Sequence, residues 1–445
     1  MFELQAAHRP YRLVHRGLKF NKALSLERYQ RLLAPFDPDQ PVAGLKAPVD
    51  LTGRRFLLVS APFGRFGRRL ARAIESRGGE VRRMLFNAGD LSNWARTGGL
   101  AYRRPACEWP QYVARLAEEF TDIILFGEGG PYNQGVLTQA KQLPARVWVL
   151  ENGYFRPDWI TLERNGVNAS SGLPRSGAGY PPPPPELPIS RPVGKILPHH
   201  VLNISFYHAV QPFGRLMFPH YRHYYSASPW RQCVGHVRRY LALAVSGAKS
   251  RDVERLQAKG DFFIACLQRD GDAQLLRYSE IHDNLSFLDR VMVSFARSAP
   301  ASTRLLVKNH PLDPGVINLG RETRRLAAKH GLTGRVDFLD GGNLAQLCRA
   351  SLGMVVNNSS AALSALGFGT PVKVLGQAFF DFEGLTDQKP LDAFWRAPTP
   401  ADRSLFTAFR AYVINRTQIN GNYHEPRALD ATAERVADAL ATRLT

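Results

Sequence analysis

The chain has 445 residues and a formal net charge of +20, with 44% hydrophobic and 22% charged residues. Since one hydrophobic core rarely serves more than about 250–300 residues, these values exclude a disordered chain and favour two globular domains. The N-terminal segment lacks the apolar stretch of a secretory signal, and no apolar run approaches the ~20 residues of a membrane-spanning helix. Four scattered cysteines without metal-ligand spacing predict reduced thiols in a cytoplasmic protein and no metal site.

The positive charge is carried mostly by arginine and favours an anionic partner. Nucleic acid, a membrane surface and a phosphorylated metabolite all satisfy this requirement. The net charge therefore predicts an anionic partner but does not distinguish among these three.

The first half of the chain, residues 1–245, predicts a Rossmann-like domain. From about residue 52, four short apolar runs alternate with helix-like segments, which is typical of βαβ units with a parallel sheet. Five consecutive prolines, 181–185, predict an extended loop or spacer. Residues 198–250 read as helical and are rich in aromatic and basic side chains. Within them, the stretch 205–240 suits either lipid contact or a buried core.

The second half, residues 246–445, predicts another Rossmann-like domain. Five strand-like runs with helices between them begin at "DFFIACLQRDGD" and end at "PVKVLGQAFFD". The terminal helix "DATAERVADALATRL" is a candidate to return to the first domain. The predicted fold is thus α/β, with two Rossmann-like domains facing each other across a cleft.

Polar side chains collect where the predicted strands end, which is where ligands bind in such sheets. In the first half, Glu128 and Glu151 follow consecutive strands, and Arg156 and Glu163 come soon after. A carboxylate there can act as a nucleophile, a general acid or a general base, depending on burial and on Arg156. A structural glutamate–arginine pair is the alternative. Asn87 and Asp90 supply one further polar strand end.

The strand ends of the second half suit an anionic nucleotide. A phosphate is favoured at a helix N-terminus that is rich in hydroxyl and amide groups, although the same residues often only cap a helix. A lysine and an imidazole beside it could neutralise a departing phosphate without a metal. These strand ends could bind a phosphate with a base or sugar, or they could simply form polar turns; their residues are Gln268, Arg269, Asp270, Lys308, His310, Pro311, Asn358, Ser359 and Ser360.

Together, "FNAGD", "LFGEGG", "ENGYFRPDWITLERNGVNASS", "KNHPLD" and "NNSSAALSALGFGTPVKVLGQAFFDFEGLT" resemble the capsule polysaccharide biosynthesis family, specifically its KpsS-type members. The resemblance extends from about residue 55 to residue 396. It implies a GT-B fold and a retaining β-Kdo glycosyltransferase that uses CMP-Kdo. The implied acceptor is phosphatidylglycerol or lysophosphatidylglycerol at the inner face of the cytoplasmic membrane, where the product starts the poly-Kdo linker of a capsular polysaccharide.

The resemblance also implies roles for individual residues. His310 and Pro311 match an "HP" block, and Ser359 and Ser360 match a serine block that holds the CMP phosphate. Many chain-extending relatives have Glu-Asp-Gly-Phe where this chain has "ENGY". The nucleophile here is therefore Glu151, Glu128 or Glu163, with Glu151 the first choice, while Glu128 is the first choice for general acid or base.

The implied partners are CMP-Kdo, an anionic phospholipid and other capsule-assembly proteins, with no cofactor and no nucleic acid. Three alternatives remain. A GT-B transferase could use another nucleotide sugar, and a scaffold of a capsule complex could bind the donor without turnover. A nucleic-acid-binding protein would explain the charge, but none of its usual sequence signatures is found.

Overall fold

The computed structural model describes residues 49–194, 196–223, 234–235, 238–239, 252–269 and 271–443. Its strands are β1 Arg55–Leu58, β2 Glu80–Leu85, β3 Gly99–Ala101, β4 Asp122–Phe126, β5 Arg146–Asn152, β6 Trp159–Arg164, β7 Phe262–Cys266, β8 Arg304–Lys308, β9 Val336–Leu339, β10 Gly353–Val356, β11 Val372–Val374 and β12 Gln418–Asn420. These strands form two separate sheets, and both sheets belong to one compact unit.

The described α-helices are α1 Phe66–Glu75, α2 Ala88–Trp94, α3 Trp109–Leu116, α4 Gly130–Leu137, α5 Ile196–Val210, α6 Asp252–Gln257, α7 Ala273–Arg277, α8 Asn284–Ser298, α9 Leu319–Lys329, α10 Leu344–Ala350, α11 Ala361–Gly367, α12 Leu391–Phe394, α13 Arg403–Thr417 and α14 Leu429–Thr442. Short 3₁₀ turns include Asn168–Ser170 and Gln211–Gly214.

The first sheet has the order β12-β6-β5-β4-β1-β2-β3. Its members from β5 to β3 are parallel, whereas β6 runs antiparallel to both β5 and β12. The four strands predicted in this half are present as β1, β2, β4 and β5. The sequence analysis did not predict β3 and β6.

The second sheet has the order β11-β10-β7-β8-β9, and all of its strands are parallel. Every residue of β7 and β10 is buried, as expected for a parallel sheet covered by helices on both faces. The five predicted strands of this half are all present. Two mainly parallel sheets with a cleft between them confirm the predicted α/β fold of the GT-B class.

The C-terminal segment returns to the first sheet. Strand β12 pairs with β6, and α14 packs on α1 within one hydrophobic core that contains Leu70, Ile74, Val436 and Leu440. Arg77 donates to Asp438 at 2.7 and 2.9 Å, which fastens this helix pair. The predicted second domain, 246–445, thus includes a strand and a helix that belong with the first sheet.

Candidate functional site

A cavity of about 620 Å³ lies between the carboxyl ends of the two sheets. Both halves of the chain contribute to its wall, as the topology of facing parallel sheets requires. The predicted site residues that line it are Asn87, Asp90, Glu128, Glu151, Arg156, Gln268, Arg269, Lys308, His310, Pro311, Asn358, Ser359 and Ser360. Glu163 does not line this cavity, and Asp270 lies outside the described residues.

Glu151 is the penultimate residue of β5 and projects into the cavity. Its Oε1 accepts hydrogen bonds from the Asn152 backbone at 2.8 Å and from the Asn152 side chain at 3.2 Å. Among the described residues, none donates a hydrogen bond to its Oε2. Burial raises the pKa of Glu151 to about 7, although the Asn152 backbone donor and the positive charge of Arg156 oppose that rise. The side chain is therefore oriented through one oxygen while the other is left for a ligand.

Glu128 follows β4, beside Glu151, but both of its oxygens are occupied. Oε1 accepts from the Val167 backbone at 2.8 Å, and Oε2 accepts from the Gln274 side chain at 3.0 Å. Gln274 in turn accepts from the Ala169 backbone at 3.3 Å. Since Gln274 lies on α7 of the second half, Glu128 joins the two sides of the cleft. Burial raises its pKa as well.

Glu163 lies on β6, behind the cavity wall. Its Oε1 accepts from the Tyr154 hydroxyl at 2.5 Å, and its Oε2 accepts from the Ser171 hydroxyl. Tyr154 itself accepts from the Asn168 backbone at 2.7 Å. Burial raises the pKa of Glu163 to about 7. In this position Glu163 fixes the loop after β6, whose Asn168 reaches the cavity.

Arg156 is the cation of the first wall. Its Nε donates to the Gly153 carbonyl at 3.2 Å, which holds the guanidinium beside the loop that carries Glu151. Burial raises the pKa values of both Glu151 and Asp272, and the positive charge of Arg156 opposes both rises. Asp272 caps α7 by accepting from the Gln274 backbone at 2.9 Å and also lines the cavity. The positive charge of Arg156 therefore acts on one carboxylate from each side of the cleft.

Lys308 and His310 follow β8 on the opposite wall. Lys308 is buried and donates to the Asn309 carbonyl at 3.0 Å. His310 accepts a hydrogen bond from the Leu312 backbone on Nδ1 at 3.1 Å, which leaves its hydrogen on Nε2. Burial lowers the pKa of His310 to about 3, helped by the charges of Arg156 and Arg269. The neutral ring can therefore offer a hydrogen bond from Nε2 rather than a positive charge.

Arg239 supports the loop that carries His310. Its guanidinium pairs with the Asp340 carboxylate at 2.5 and 2.8 Å and donates to the carbonyls of His310 and Pro311 at 3.0 Å each. His310 and Asp340 are 71 and 101 residues away from Arg239 in the sequence. Local sequence patterns therefore did not reveal the role of Arg239.

The serine loop after β10 is held by buried amides. Gln268 donates to the Asn358 side chain at 2.9 Å and accepts from the Asn358 backbone at 3.1 Å. The Ser359 hydroxyl accepts from the Ala361 backbone at 3.2 Å, so it supports the start of α11 while lining the cavity. Gln268 and Asn358 thus shape this wall, and Ser359 and Ser360 present hydroxyl groups at its surface.

Asn87, Asp90 and Tyr207 form one part of the cavity wall. Asn87 donates to the Tyr207 hydroxyl at 2.7 Å, and that hydroxyl donates to Asp90 at 3.2 Å. Burial raises the pKa of Asp90, while Arg83 opposes the shift. Tyr207 comes from α5, 120 residues along the chain from Asn87, and the sequence analysis did not single it out.

Asp272 was also missed, although the sequence contains a signal for it. An aspartate that follows a glycine and precedes a short apolar helix is a typical N-cap, and here it brings a carboxylate into the cavity. Within the described residues, no group of three or more His, Cys, Asp or Glu side chains is placed to hold a metal ion. None of the helices in the described part of the chain is long and apolar enough to cross a bilayer.

Comparison with known proteins assigns the chain to a family. Residues 121–424, which include most of the residues that line the cavity, match the family described as capsule polysaccharide biosynthesis protein. The chain belongs to that family. It is 34% identical to the capsule polysaccharide export protein KpsS of Escherichia coli, over 84% of this chain and 98% of that protein. It is 35% identical to the capsule polysaccharide modification protein LipB of Neisseria meningitidis serogroup A, over 84% of this chain and 92% of that protein.

Solved structures are more distant from this member of the capsule polysaccharide biosynthesis family. The beta Kdo 2,7 transferase KpsC of Thermosulfurimonas dismutans shares 14% identity at a TM-score of 0.38, covering 80% of this chain and 89% of that chain. The UDP-bound MnaA of S. aureus shares 9% identity at a TM-score of 0.28, covering 86% and 91% of the two chains. These similarities are too low to carry an argument about the reaction.

Proposed function

We propose that the protein is a retaining glycosyltransferase that transfers Kdo from CMP-Kdo to phosphatidylglycerol or lysophosphatidylglycerol. The product would begin the poly-Kdo linker of a capsular polysaccharide, and the enzyme would act peripherally at the inner face of the cytoplasmic membrane. Membership of the capsule polysaccharide biosynthesis family supports the pathway, and the resemblance of the motifs supports the donor and the acceptor.

One observation carries the proposal: Glu151 presents an oxygen that accepts no hydrogen bond from the described residues to a cavity that is also lined by Arg156, Lys308 and His310. A retaining transfer by double displacement needs a carboxylate beside the anomeric carbon. Glu151 would bond to that carbon as CMP leaves. The acceptor oxygen would then attack the same carbon, release its proton to water and free the carboxylate. Arg156 is placed to bind the carboxylate of an acidic sugar such as Kdo.

The opposite wall would stabilise the leaving CMP. Lys308 supplies a positive charge, and the hydrogen on His310 Nε2 supplies a donor to a phosphate oxygen. The hydroxyls of Ser359 and Ser360 supply further donors. Glu128 has no part in this chemistry in our proposal, because both of its oxygens accept hydrogen bonds that join the walls of the cleft.

The experiment is incubation of the full chain with CMP-Kdo and phosphatidylglycerol, followed by mass spectrometry of the lipid. We expect one added Kdo per lipid and an equal amount of released CMP. CMP-sialate in place of CMP-Kdo should give no release, whereas release from CMP-sialate alone would indicate a different donor. Binding of CMP-Kdo without any CMP release would contradict catalysis and favour a scaffold.

A further inference from the structure

Large apolar side chains are exposed in one part of the chain far more than elsewhere. Eight of the 14 large hydrophobic residues that are exposed in the described structure fall within residues 187–217. The most exposed are Leu216 at 98% and Phe213 at 87%. Single exposed apolar residues need no explanation, but a concentration of them marks a binding surface. We call Leu202, Phe206, Phe213, Leu216 and Met217 the apolar rim.

The apolar rim is the outer face of a helix whose inner face is fixed to the site. On α5, His200 is hydrogen-bonded to His424 at 2.6 Å, and Tyr207 is bonded to Asn87 at 2.7 Å. Residues 200 and 207 are seven positions apart and share one face of the helix. Leu202 and Phe206, four positions apart, share the opposite face and are 67% and 53% exposed.

The rest of the apolar rim lies beside the cleft. The 3₁₀ turn Gln211–Gly214 follows α5 directly and rests on Ala88, the first residue of α2. A Cβ atom on Gly214 would come within 2.6 Å of the Ala88 Cβ, so the two segments are in close contact. Ala88 follows Asn87, which lines the cavity. The segment that carries the nearly fully exposed Phe213 and Leu216 therefore lies beside the part of the cavity wall that contains Asn87 and Tyr207.

The charge of residues 187–251 indicates which kind of surface binds the apolar rim. No aspartate or glutamate occurs from residue 187 to residue 251, whereas nine lysines and arginines do. Within the described part of that segment, Arg215 and Arg222 are exposed close to the apolar rim in sequence. Apolar side chains flanked by cations suit a surface that offers both a hydrocarbon layer and negative charge, which is an anionic phospholipid bilayer.

We propose that the apolar rim is the surface through which the protein docks on an anionic lipid bilayer, with Phe213 and Leu216 inserted among the acyl chains. The docked bilayer would lie next to the part of the cavity wall formed by Asn87, Asp90 and Tyr207. A lipid headgroup could then reach the cavity without the lipid leaving the membrane. This inference deepens the proposed function, since the acceptor proposed there is a phospholipid, but docking itself requires no sugar transfer.

The test is flotation of the full-length protein with vesicles of phosphatidylcholine alone or of phosphatidylcholine mixed with phosphatidylglycerol, without a nucleotide sugar. We expect binding to the mixed vesicles, weakened by salt, and at least tenfold weaker partition into the neutral ones. The double variant Phe213→Ser/Leu216→Ser should lose at least tenfold in partition to the mixed vesicles. Arg215→Glu should weaken the same binding by a smaller factor.

The matched control is Val293→Ser/Ile317→Ser, which removes two apolar side chains that are 41% and 39% exposed outside the apolar rim. It should bind vesicles as the wild type does. Circular dichroism should show both double variants folded, because all four side chains are exposed. Equal binding by the wild type and Phe213→Ser/Leu216→Ser would overturn the proposal, as would equal binding to neutral and anionic vesicles. A wild-type dimer that this variant abolishes, without vesicle binding, would assign the surface to a second copy instead.

Activity separates this inference from the proposed function. With the acceptor dispersed in detergent, Phe213→Ser/Leu216→Ser should match the wild type, whereas with the acceptor in vesicles it should be at least tenfold slower. Equal loss in both forms would contradict a docking role. Docking through the apolar rim without any Kdo transfer by the wild type would refute the proposed function and leave this inference standing.

Discussion

Glu128 and Glu151 follow neighbouring parallel strands and line the same cavity, yet their surroundings differ. Both oxygens of Glu128 accept hydrogen bonds from donors on the two sides of the cleft, whereas only one oxygen of Glu151 accepts them, from the residue that follows it. Position at a strand end therefore does not define a carboxylate's role. What distinguishes the two is the number of oxygens that the protein leaves for a ligand.

The largest effect should come from Glu151→Gln. The amide preserves size and cannot act as a nucleophile, so we expect kcat for Kdo transfer to fall by about a thousandfold or more. Glu128→Gln is the matched comparison and should retain activity within about tenfold under conditions where it is folded. CMP release and lipid mass spectrometry measure both. Full turnover by Glu151→Gln would remove the distinction between the two glutamates.

The opposite wall gives the next largest effect. Since His310 is neutral with its hydrogen on Nε2, we expect His310→Gln to keep a donor near that position, whereas His310→Asn places its amide nearer to Nδ1. His310→Asn should lower kcat by about a hundredfold, the usual loss for one donor to a developing charge, and His310→Gln by less. Equal losses in the two variants would argue against a role for the Nε2 hydrogen.

The pH dependence should belong to Glu151 rather than to Glu128. Its pKa of about 7 is above the usual value, so the carboxylate is protonated below that pH and cannot attack the sugar. We expect kcat/KM to fall about tenfold for each pH unit below about 7. Because burial raises the pKa of Glu163 to about 7 as well, Glu163→Gln is the control and should keep the same profile. A profile that becomes flat in Glu163→Gln would assign the titration to Glu163.

Breaking the hydrogen bond between Glu128 and Gln274 should have the smallest effect on activity, but it should clearly lower the free energy of unfolding. Glu128→Gln sets one amide NH₂ group against another, and a buried polar group without a partner costs about 1–3 kcal/mol. Chemical denaturation should show this loss in the free energy of unfolding. The exchange Glu128→Gln/Gln274→Glu restores a donor opposite an acceptor and should recover the stability. Abolished activity in this folded double variant would indicate a catalytic role for Glu128.

Local patterns were sufficient to predict the alternating strands of both halves and the polar residues at their ends. The carboxyl ends of parallel strands meet at one edge of a sheet, so Glu151, Lys308 and His310 could be assigned to one cleft before the structure was known. The return of the C-terminal segment to the first sheet was harder to predict. Strand β12 has only three residues, and all strands of the second sheet lie between it and its partner β6 in the sequence.

The remaining features depend on contacts that are distant in sequence. Glu128 is distinguished from Glu151 by Gln274, 146 residues away, and the serine loop depends on a contact between Gln268 and Asn358, 90 residues apart. The neutral state of His310 arises from burial and from surrounding arginines. Such features follow from tertiary packing, so they cannot be predicted from local patterns in a single sequence.

The most direct test of the central claim is to trap the glycosyl-enzyme. The full chain would be mixed with CMP-Kdo without acceptor, quenched in acid, digested and analysed by mass spectrometry. We predict one Kdo bonded to the peptide that contains Glu151, removed when acceptor lipid is added before the quench and absent from Glu151→Gln. Kdo on the side chain of Glu128 or Glu163, or an unchanged adduct in Glu151→Gln, would contradict the assignment of Glu151 as the nucleophile.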